Sequence, residues 1–479
     1  MTTDLYTNFS KRDYTATFER LLDILSKEVP ELTDRNHSDA GISLIRLLAR
    51  QSDLLNFYAD KIFSEGFLET AKMRQSVIDL ATLVDCKLKL ASPASCTIKV
   101  SKKPDYRSNG SSPREVTIEQ YSVFSRTDGV AYINLDPITM DINTDDVIFS
   151  IYQLEMHKIQ IGPGDFEYIY PYKRLRYNLG ANVVRDFIYV YEPIADIYWQ
   201  YVDSFYRSLP NDKHFTLELY AEKYNGENDT VFLSVGDGLY GTDVIPNVLE
   251  VTFFTTSGSA GNCGTDVITT PPHSTLLTCT NITGATGGAG VESTEDFRAR
   301  VPQLVRTQRR AVVESDYDAL IRSIEGVADC EAVSRSSNIS WPYMYVFIYV
   351  LPNGGGDISN YLRQKIRKVC KSWGHMGDWD DRYVILDPIV NTVDIKLRVG
   401  KKEEINEYAL RTKILTVLNK FFLPENRKLG KGLNIGEIHK AVGNIAEIDW
   451  LEVLNPSSSY DRIPGHTYVL GKVDIEYVS

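Results

Sequence analysis

The chain has 479 residues, more than one hydrophobic core of ordinary size supports, so roughly two to four domains are expected. Hydrophobic residues make up 43% and charged residues 24%, a globular balance that excludes wholesale disorder. A net charge of −12 excludes a protein whose main work is sequence-independent nucleic-acid binding, because phosphate contacts need concentrated Lys and Arg.

Helical periodicity runs from Tyr14 to about Asp85, beginning with Phe18, Leu21, Leu22 and Leu25 and broken by the polar run Thr33 to Asp39. In the second helix Ile42, Ile45, Leu48, Ser52, Leu55 and Ala59 share a face, which Leu44, Leu47, Leu54 and Tyr58 widen. The third, from about Ala71, repeats Val77, Leu80, Ala81 and Val84 at i, i+3, i+4 and i+7. Faces this broad predict a bundle, either within the chain or between chains. The phrase Leu32-Thr-Asp-Arg-Asn-His-Ser-Asp-Ala-Gly-Ile42, with Glu65, Leu68 and Ala71-Lys, resembles the amino-terminal region of the long baseplate wedge proteins of large contractile phages.

From Ser92 to about Thr283 short Val-, Ile-, Tyr- and Thr-rich runs alternate with Gly, Pro, Asn and Asp, the pattern of one or two antiparallel β domains. The clearest strand is Phe187 to Tyr191, and others are expected at Val116 to Phe124, Phe215 to Tyr220, Val231 to Val235 and Leu249 to Thr255. The stretch Phe232 to Gly241, taken with Gly258-Ser-Ala-Gly261-Asn262, also resembles the long wedge proteins. The Gly- and Thr-rich passage Thr278 to Gly290 is expected to be a hinge or linker.

The segment Gly290 to Val333 is the most specific part of the chain. Ser293 can cap a helix whose third residue is Asp296, and Pro302 is expected to end or kink that helix near Val301. The segment carries Arg298, Arg300, Arg306, Arg309 and Arg310 among few apolar residues, which reads as a solvated or interface surface. A second helix is expected from Glu314, with Tyr317, Leu320, Ile321 and Ile324 at helical spacing, ending at Gly326 before a strand. The acidic start, the Arg-Ala-Val step at 310–312, Asp316-Tyr317 and Gly326-Val327 closely resemble the baseplate J-like proteins of contractile tails. Val313 departs from that pattern, which commonly has a Thr cap there, so the cap is expected from Ser315, the backbone or water.

Beyond this segment strands are expected near Ala328 to Arg335, Tyr343 to Leu351 and Tyr383 to Val399, with helices near Ile358 to Trp373 and Glu404 to Phe422. Ile324-Glu-Gly326-Val-Ala328 aligns with Val442-Gly-Asn444-Ile-Ala446, each between a helix and a strand, with Gly326 and Asn444 suited to a left-handed helix end. The expected fold class is α+β multidomain: an N-terminal helical bundle at 1–91, a central antiparallel β region at 92–283, and C-terminal α+β modules at 284–400 and 401–479.

Chemical motifs are few. Gly236-Asp-Gly-Leu-Tyr-Gly241 fits GxGxxG, but no helix is expected after it, so a tight β turn is preferred to a dinucleotide site. Asp141 to Asp146 lacks the Gly and Glu of a calcium loop. His375, Asp378, Asp380 and Asp381 form the most metal-like cluster, but spacing alone does not make a site, and His157, His214 and His439 stand isolated. The six cysteines show no CxxC pair and read as reduced packing residues. No apolar run approaches the ~20 residues of a membrane span, and Met1-Thr-Thr-Asp lacks the start of a signal peptide. No cofactor, metal or catalytic residue is expected. The 29 tyrosines favour extended protein contacts only weakly, since most are expected in β-sheet cores.

The resemblance implies a structural, non-enzymatic component of a baseplate wedge, located in the virion tail and synthesised in the bacterial host cytoplasm. It would form a ring around the central hub and change conformation to trigger sheath contraction. The implied partners are a second copy, as dimer or ring, a second wedge protein, and the hub or spike and sheath-proximal proteins, with no nucleic acid and no membrane insertion. On this reading Ile45, Leu48, Leu55, Leu80, Arg306, Arg309, Arg310 and Tyr317 are the candidate interface residues. The alternative is a tail-associated polysaccharide-binding or depolymerising protein, which would show a β-helix period and a carboxylate pair in a groove.

Overall fold

The computed structural model describes residues 13–478 apart from 32–35, 37–38, 104–114, 142, 170–173, 222–228, 244–247, 336–341, 343, 374–381, 403–405, 424–425 and 427. The architecture is α+β, and the chain divides into two compact units. One comprises Met1–Lys87, Tyr220–Asp229 and Thr294–Arg298; the other comprises Leu88–Leu219, Thr230–Ser293 and Ala299–Ser479.

The first unit is built on helices α1 (Tyr14–Glu28), α2 (Ala40–Glu65) and α3 (Arg74–Leu83), the three that the periodicity predicts. Asp13 caps α1 by accepting the Ala16 N–H at 2.9 Å, and Asp39 caps α2 by accepting that of Ile42 at 3.1 Å. α3 has no cap of its own; the Glu65 carboxylate accepts the N–H groups of Lys72 and Met73 just before it. Arg74 fastens this helix to distant chain. Its guanidinium pairs with buried Asp229 at 2.6 Å and donates to Thr294 Oγ1 at 2.9 Å, while Gln75 accepts the Ala221 N–H at 3.0 Å.

The second unit holds two large sheets. One has the order Ile268–Thr270, Val123–Arg126, Ala131–Ile133, Asp146–Tyr152, Ser95–Lys102 and Leu277–Asn281, around a core that includes Ile98, Ile118, Phe124, Tyr132 and Ile151. The other has the order Glu155–Ile161, Leu249–Thr255, Val183–Glu192, Ile197–Tyr201, His214–Ala221, Asp229–Val235, Arg174–Gly180 and Glu167–Ile169. Trp199, Phe215, Leu233, Val235 and Val251 lie in its core. The described pairings of these two sheets are antiparallel apart from a short parallel contact between Ile197–Tyr201 and His214–Ala221, a departure from the antiparallel expectation. The strand expected at Val116 to Phe124 is two strands, Val116–Ile118 and Val123–Arg126, separated by a turn in which Tyr121 takes φ +60°. The passage from Thr278 to Gly290 is not a hinge: Leu277–Asn281 pairs with Ser95–Lys102, Ala285 bridges Cys263, and Ala289 bridges Ser92.

Helix α4 (Thr294–Thr307) starts directly after Ser293 but does not end at Val301; it continues through Pro302. Leu304 beyond the proline packs on the next core and Thr307 is buried, and that packing outweighs the hydrogen bond Pro302 removes. α5 (Glu314–Arg322) follows. The N–H groups of Val312 and Val313 donate to Asp316 Oδ2, so the start of α5 is tied down by the Asp of Asp-Tyr and not by Ser315. Gly326 takes φ +90° as expected, whereas Asn444 takes φ −75° and is right-handed, so the two ends of the repeat close differently.

Strands Val327–Val333, Val346–Pro352 and Tyr383–Leu386 form a three-stranded sheet covered by α5 and α6 (Asn360–Trp373). The long strand expected from Tyr383 to Val399 is interrupted at Pro388, which cannot donate to a ladder. Tyr383–Leu386 stays in this sheet and Ile389–Lys401 begins the next. That next sheet, Ile448–Asn455, Ile389–Lys401 and His466–Val478, is covered by α7 (Glu407–Phe421) and α8 (Ile435–Gly443). In both sheets the central strand has one antiparallel and one parallel neighbour, and in both the antiparallel neighbour follows a helix, so the faint sequence repeat marks a repeated layout.

Candidate assembly surfaces

The face of α2 is the main anomaly of the first unit. Ile42 and Ala49 are buried, yet Leu44, Leu47, Leu48 and Leu55 are each about 60% exposed and Ile62 is 73% exposed. Single exposed leucines are ordinary, but a contiguous run of them over three turns of one helix is not, and it makes this face the candidate assembly surface. Of the residues singled out in the sequence, Leu48 and Leu55 lie on this surface, while Ile45 and Leu80 are half-buried.

Arg306, in the last turn of α4, and Arg309 and Arg310, on the turn that joins α4 to α5, are exposed in the second unit. Arg309 lies over the Trp373 ring at 5.3 Å, and the neighbouring Ala311 N–H donates to the Trp373 carbonyl at 2.8 Å. Tyr317 is only 3% exposed. Its ring packs against Tyr383 at 6.0 Å in the core beneath α5, so it supports this module from inside and does not face a partner.

Two buried ionic arrangements in the second unit had no signal in the sequence. Glu325, on the turn after α5, pairs with Lys365 at 2.8 Å and Arg185 at 3.1 Å, and Lys365 also reaches Asp186 at 2.6 Å, where Tyr361 donates as well. Burial alone would raise the Glu325 carboxyl, but the two cations hold it well below the usual carboxylate range. This cluster joins the eight-stranded sheet to the module of α5 and α6.

The second arrangement lies on strand Val327–Val333. Cys330 and Ala332 face the core beneath α5, while Asp329 and Glu331 face the opposite way. Asp329 pairs with Arg322 and accepts the Leu429 N–H at 2.7 Å; Glu331 accepts the Gly465 N–H at 2.7 Å and pairs with Arg462 at 3.1 Å. One strand therefore builds one module's core and carries the next module on its back. Beside it, burial raises the Asp318 carboxyl to about 6 although it accepts the Ala332 N–H at 2.7 Å.

The arrangements that could suggest catalysis do not support it. Ser208 Oγ lies 2.8 Å from His214 Nδ1, and Asp212 approaches the same nitrogen at 3.9 Å. A relay needs the acid and the nucleophile on opposite ring nitrogens. Gly236 to Gly241 is a turn leading out of strand Asp229–Val235, and the next described element is strand Leu249–Thr255, so among the described residues the turn does not open a helix whose N-terminus could hold a pyrophosphate. Asp141 and Asp145 lie in the connection between two strands. The cluster His375, Asp378, Asp380 and Asp381 lies outside the described residues. Among the described residues no three His, Cys, Asp or Glu side chains are grouped to hold a metal, and no described helix is long and apolar enough to cross a membrane. The six cysteines are free; burial raises the thiols of Cys279 to about 11 and Cys370 to about 12, which suits packing and not nucleophilic chemistry.

The three helices with the exposed α2 face coincide with a known domain. Residues 13–83 match the family described as bacteriophage baseplate protein, N-terminal domain. No curated protein matches the chain. Among solved structures, a chain of the cryo-EM structure of the anti-feeding prophage baseplate, six-fold symmetrised, aligns over 94% of this chain and 90% of its own at 10% identity, with a TM-score of 0.34. The assignment therefore rests on the N-terminal domain, which supports a structural baseplate role.

Proposed function

We propose that the protein is a structural wedge component of a contractile-tail baseplate, and that α2 is its assembly face. The observation that carries this reading is the exposed run Leu44, Leu47, Leu48, Leu55 and Ile62, lying within the residues that match the baseplate N-terminal domain. Left in water, such a face favours association; packed in an intermolecular bundle with a second copy and a second wedge protein, it becomes a core. In this reading residues 1–91 anchor the subunit, the modules at 92–283, 284–400 and 401–479 extend into the ring around the hub, and that ring changes conformation as the sheath contracts. The work is mechanical and needs no cofactor, and its place is the virion tail. The polysaccharide alternative gains nothing from the fold, whose described sheets are antiparallel or mixed and show no β-helix coil.

The test is light scattering behind size exclusion over a concentration series in about 0.5 M salt, which screens surface charge pairs and leaves apolar association intact. The chain is run alone and with candidate wedge proteins. The expected result is a dimer or a stable heterocomplex that Leu48→Glu with Leu55→Glu abolishes while the circular dichroism melt stays unchanged. A wild-type chain that is monomeric throughout and ignores every wedge protein overturns the reading.

A further inference from the structure

The GxGxxG turn has a shape that no nucleotide explains. Gly238 and Gly241 take φ +79° and +78°, and a Cβ on Gly236 would stand 2.3 Å from the Gly241 carbonyl carbon, so the loop closes on itself as only glycine allows. Asp237 Oδ1 accepts the N–H groups of Leu239 at 3.0 Å and Tyr240 at 2.7 Å, which stiffens the tip. A second loop is tied to it: Gly241 N–H donates to the Leu209 carbonyl at 3.1 Å, and Thr242 N–H to the Asp212 carbonyl at 3.1 Å. These two rigid loops hold large apolar side chains in solvent. Tyr206 is 81% exposed, Leu239 71%, Leu209 67% and Tyr240 48%. Around them stand the carboxylates of Asp212, Asp237 and Asp243; of the cations on the same loops, Lys213 is paired with Glu192, which leaves Arg207 against the three acids. An ordered apolar knob with an acidic rim is the form of a binding element, since its conformational entropy is already lost before it meets a partner.

The turn between α4 and α5 is its counterpart in charge. It too is rigid: Thr307 is buried, Arg309 N–H donates to Thr307 Oγ1, Ala311 is held to Trp373, and Val312 and Val313 are held by Asp316. Together with the last turn of α4 it presents Val305, Val312 and Val313, each about half exposed, among Arg306, Arg309 and Arg310, while the nearby Asp316 carboxylate is taken up by the N–H groups of Val312 and Val313. The knob is apolar with an acidic rim; the turn is apolar with a basic rim.

We infer that the knob of one copy docks on the Arg-Val turn of the next copy. The two patches differ, so the contact is heterologous. A contact of this kind propagates from copy to copy and closes into a ring when its rotation allows. The inference rests on the ring reading and supplies it with a second contact besides α2. It also gives the GxGxxG residues a purpose, namely to project Leu239 and Tyr240.

Sedimentation velocity on the full chain carrying Leu48→Glu and Leu55→Glu, in about 0.05 M and about 0.5 M salt, tests it apart from α2. The expected result is concentration-dependent association at low salt that weakens at high salt. Leu239→Glu with Tyr240→Glu, or Arg306→Glu with Arg310→Glu, weakens it about tenfold or more. All these positions are exposed, so folding is checked by an unchanged melt. The decisive arm mixes the knob variant with the turn variant. One intact knob then meets one intact turn, and a heterodimer forms that does not grow further. The inference is overturned if the α2 variant is monomeric at low salt, if either double variant associates like its parent, or if mixing restores nothing. Loss of all association with the α2 substitutions leaves the α2 reading standing and removes this one; association untouched by them and lost with the knob does the reverse.

Discussion

Glu331 Oε2 accepts the backbone N–H of Gly465 at 2.7 Å, with both groups buried where the C-terminal module rests on strand Val327–Val333. Gly465 takes φ +73°, and a Cβ there would lie 2.5 Å from the Tyr349 ring. Strain and clash thus coincide at one residue. Gly465→Ala is expected to destabilise by about 2 kcal/mol or more, and Glu331→Ala, which leaves the Gly465 N–H without its acceptor, by about 1–3 kcal/mol. Urea unfolding measures both; a change below about 0.5 kcal/mol in both would show that this joint contributes little.

Arg74 and Asp229 form a bidentate pair in the first unit, each side chain 7% exposed or less. Removing one partner leaves a buried charge, so Arg74→Ala or Asp229→Ala is expected to cost about 3–5 kcal/mol, whereas Arg74→Met with Asp229→Leu costs less than the sum of the two. A double-mutant cycle by denaturant unfolding checks the coupling, and strict additivity would refute it.

Asp318 has its carboxyl raised from 3.8 to about 6 by burial. The folded state therefore binds its proton more tightly than the unfolded chain, and this group favours folding as the pH falls from about 6 towards 4. Above 6 it is a buried anion and a cost. Asp318→Asn keeps an acceptor for the Ala332 N–H without the charge. It is expected to raise Tm near neutral pH, with the gain shrinking below about pH 4, where wild-type Asp318 is protonated in both states. A gain independent of pH would exclude the charge as its cause.

Glu325 runs the other way. Its carboxyl is lowered from 4.5 by Lys365 and Arg185 against the effect of burial, so its contribution is present above about pH 4.5 and is lost as the pH falls through the lower folded value. Glu325→Gln is expected to lower Tm at neutral pH and to matter less in acid. Thermal melts across that range decide it, and an equal loss at every pH would assign the effect to packing.

Pro302 is exposed on α4 and removes a helical hydrogen bond. Pro302→Ala is expected to stabilise by about 1 kcal/mol or more, the restored bond exceeding the added freedom of the unfolded chain. A lowered Tm would mean that the proline shape is itself required by the packing of Leu304.

Much of the fold was legible in the residues. The three N-terminal helices showed because their apolar positions repeat at helical spacing, and α5 because Tyr317, Leu320 and Ile321 repeat before Gly326. The same periodicity could not tell a core face from an interface face. Leu48 and Tyr317 look alike in sequence, yet one is 60% exposed and the other 3%, because exposure depends on what the rest of the chain lays over a helix. Pro302 and Pro388 make the same point from two sides. Each forbids one backbone hydrogen bond, but only packing determines whether the element continues, as α4 does, or passes to another sheet.

What the sequence determined by itself was local: helix and strand type, the glycines that must turn, and the match of residues 13–83 to a baseplate N-terminal domain. These depend on residues a few positions apart. Tertiary structure alone decided the long-range pairings, Arg74 with Asp229, Glu325 with Arg185, and Glu331 with Gly465. It also decided which apolar side chains stayed in solvent. Arg74 and Asp229 are 155 positions apart, and Glu331 and Gly465 are 134 apart. A carboxylate carries no local mark of the amide or guanidinium it will meet across such a separation, because the partner is selected only when the modules close and exclude water.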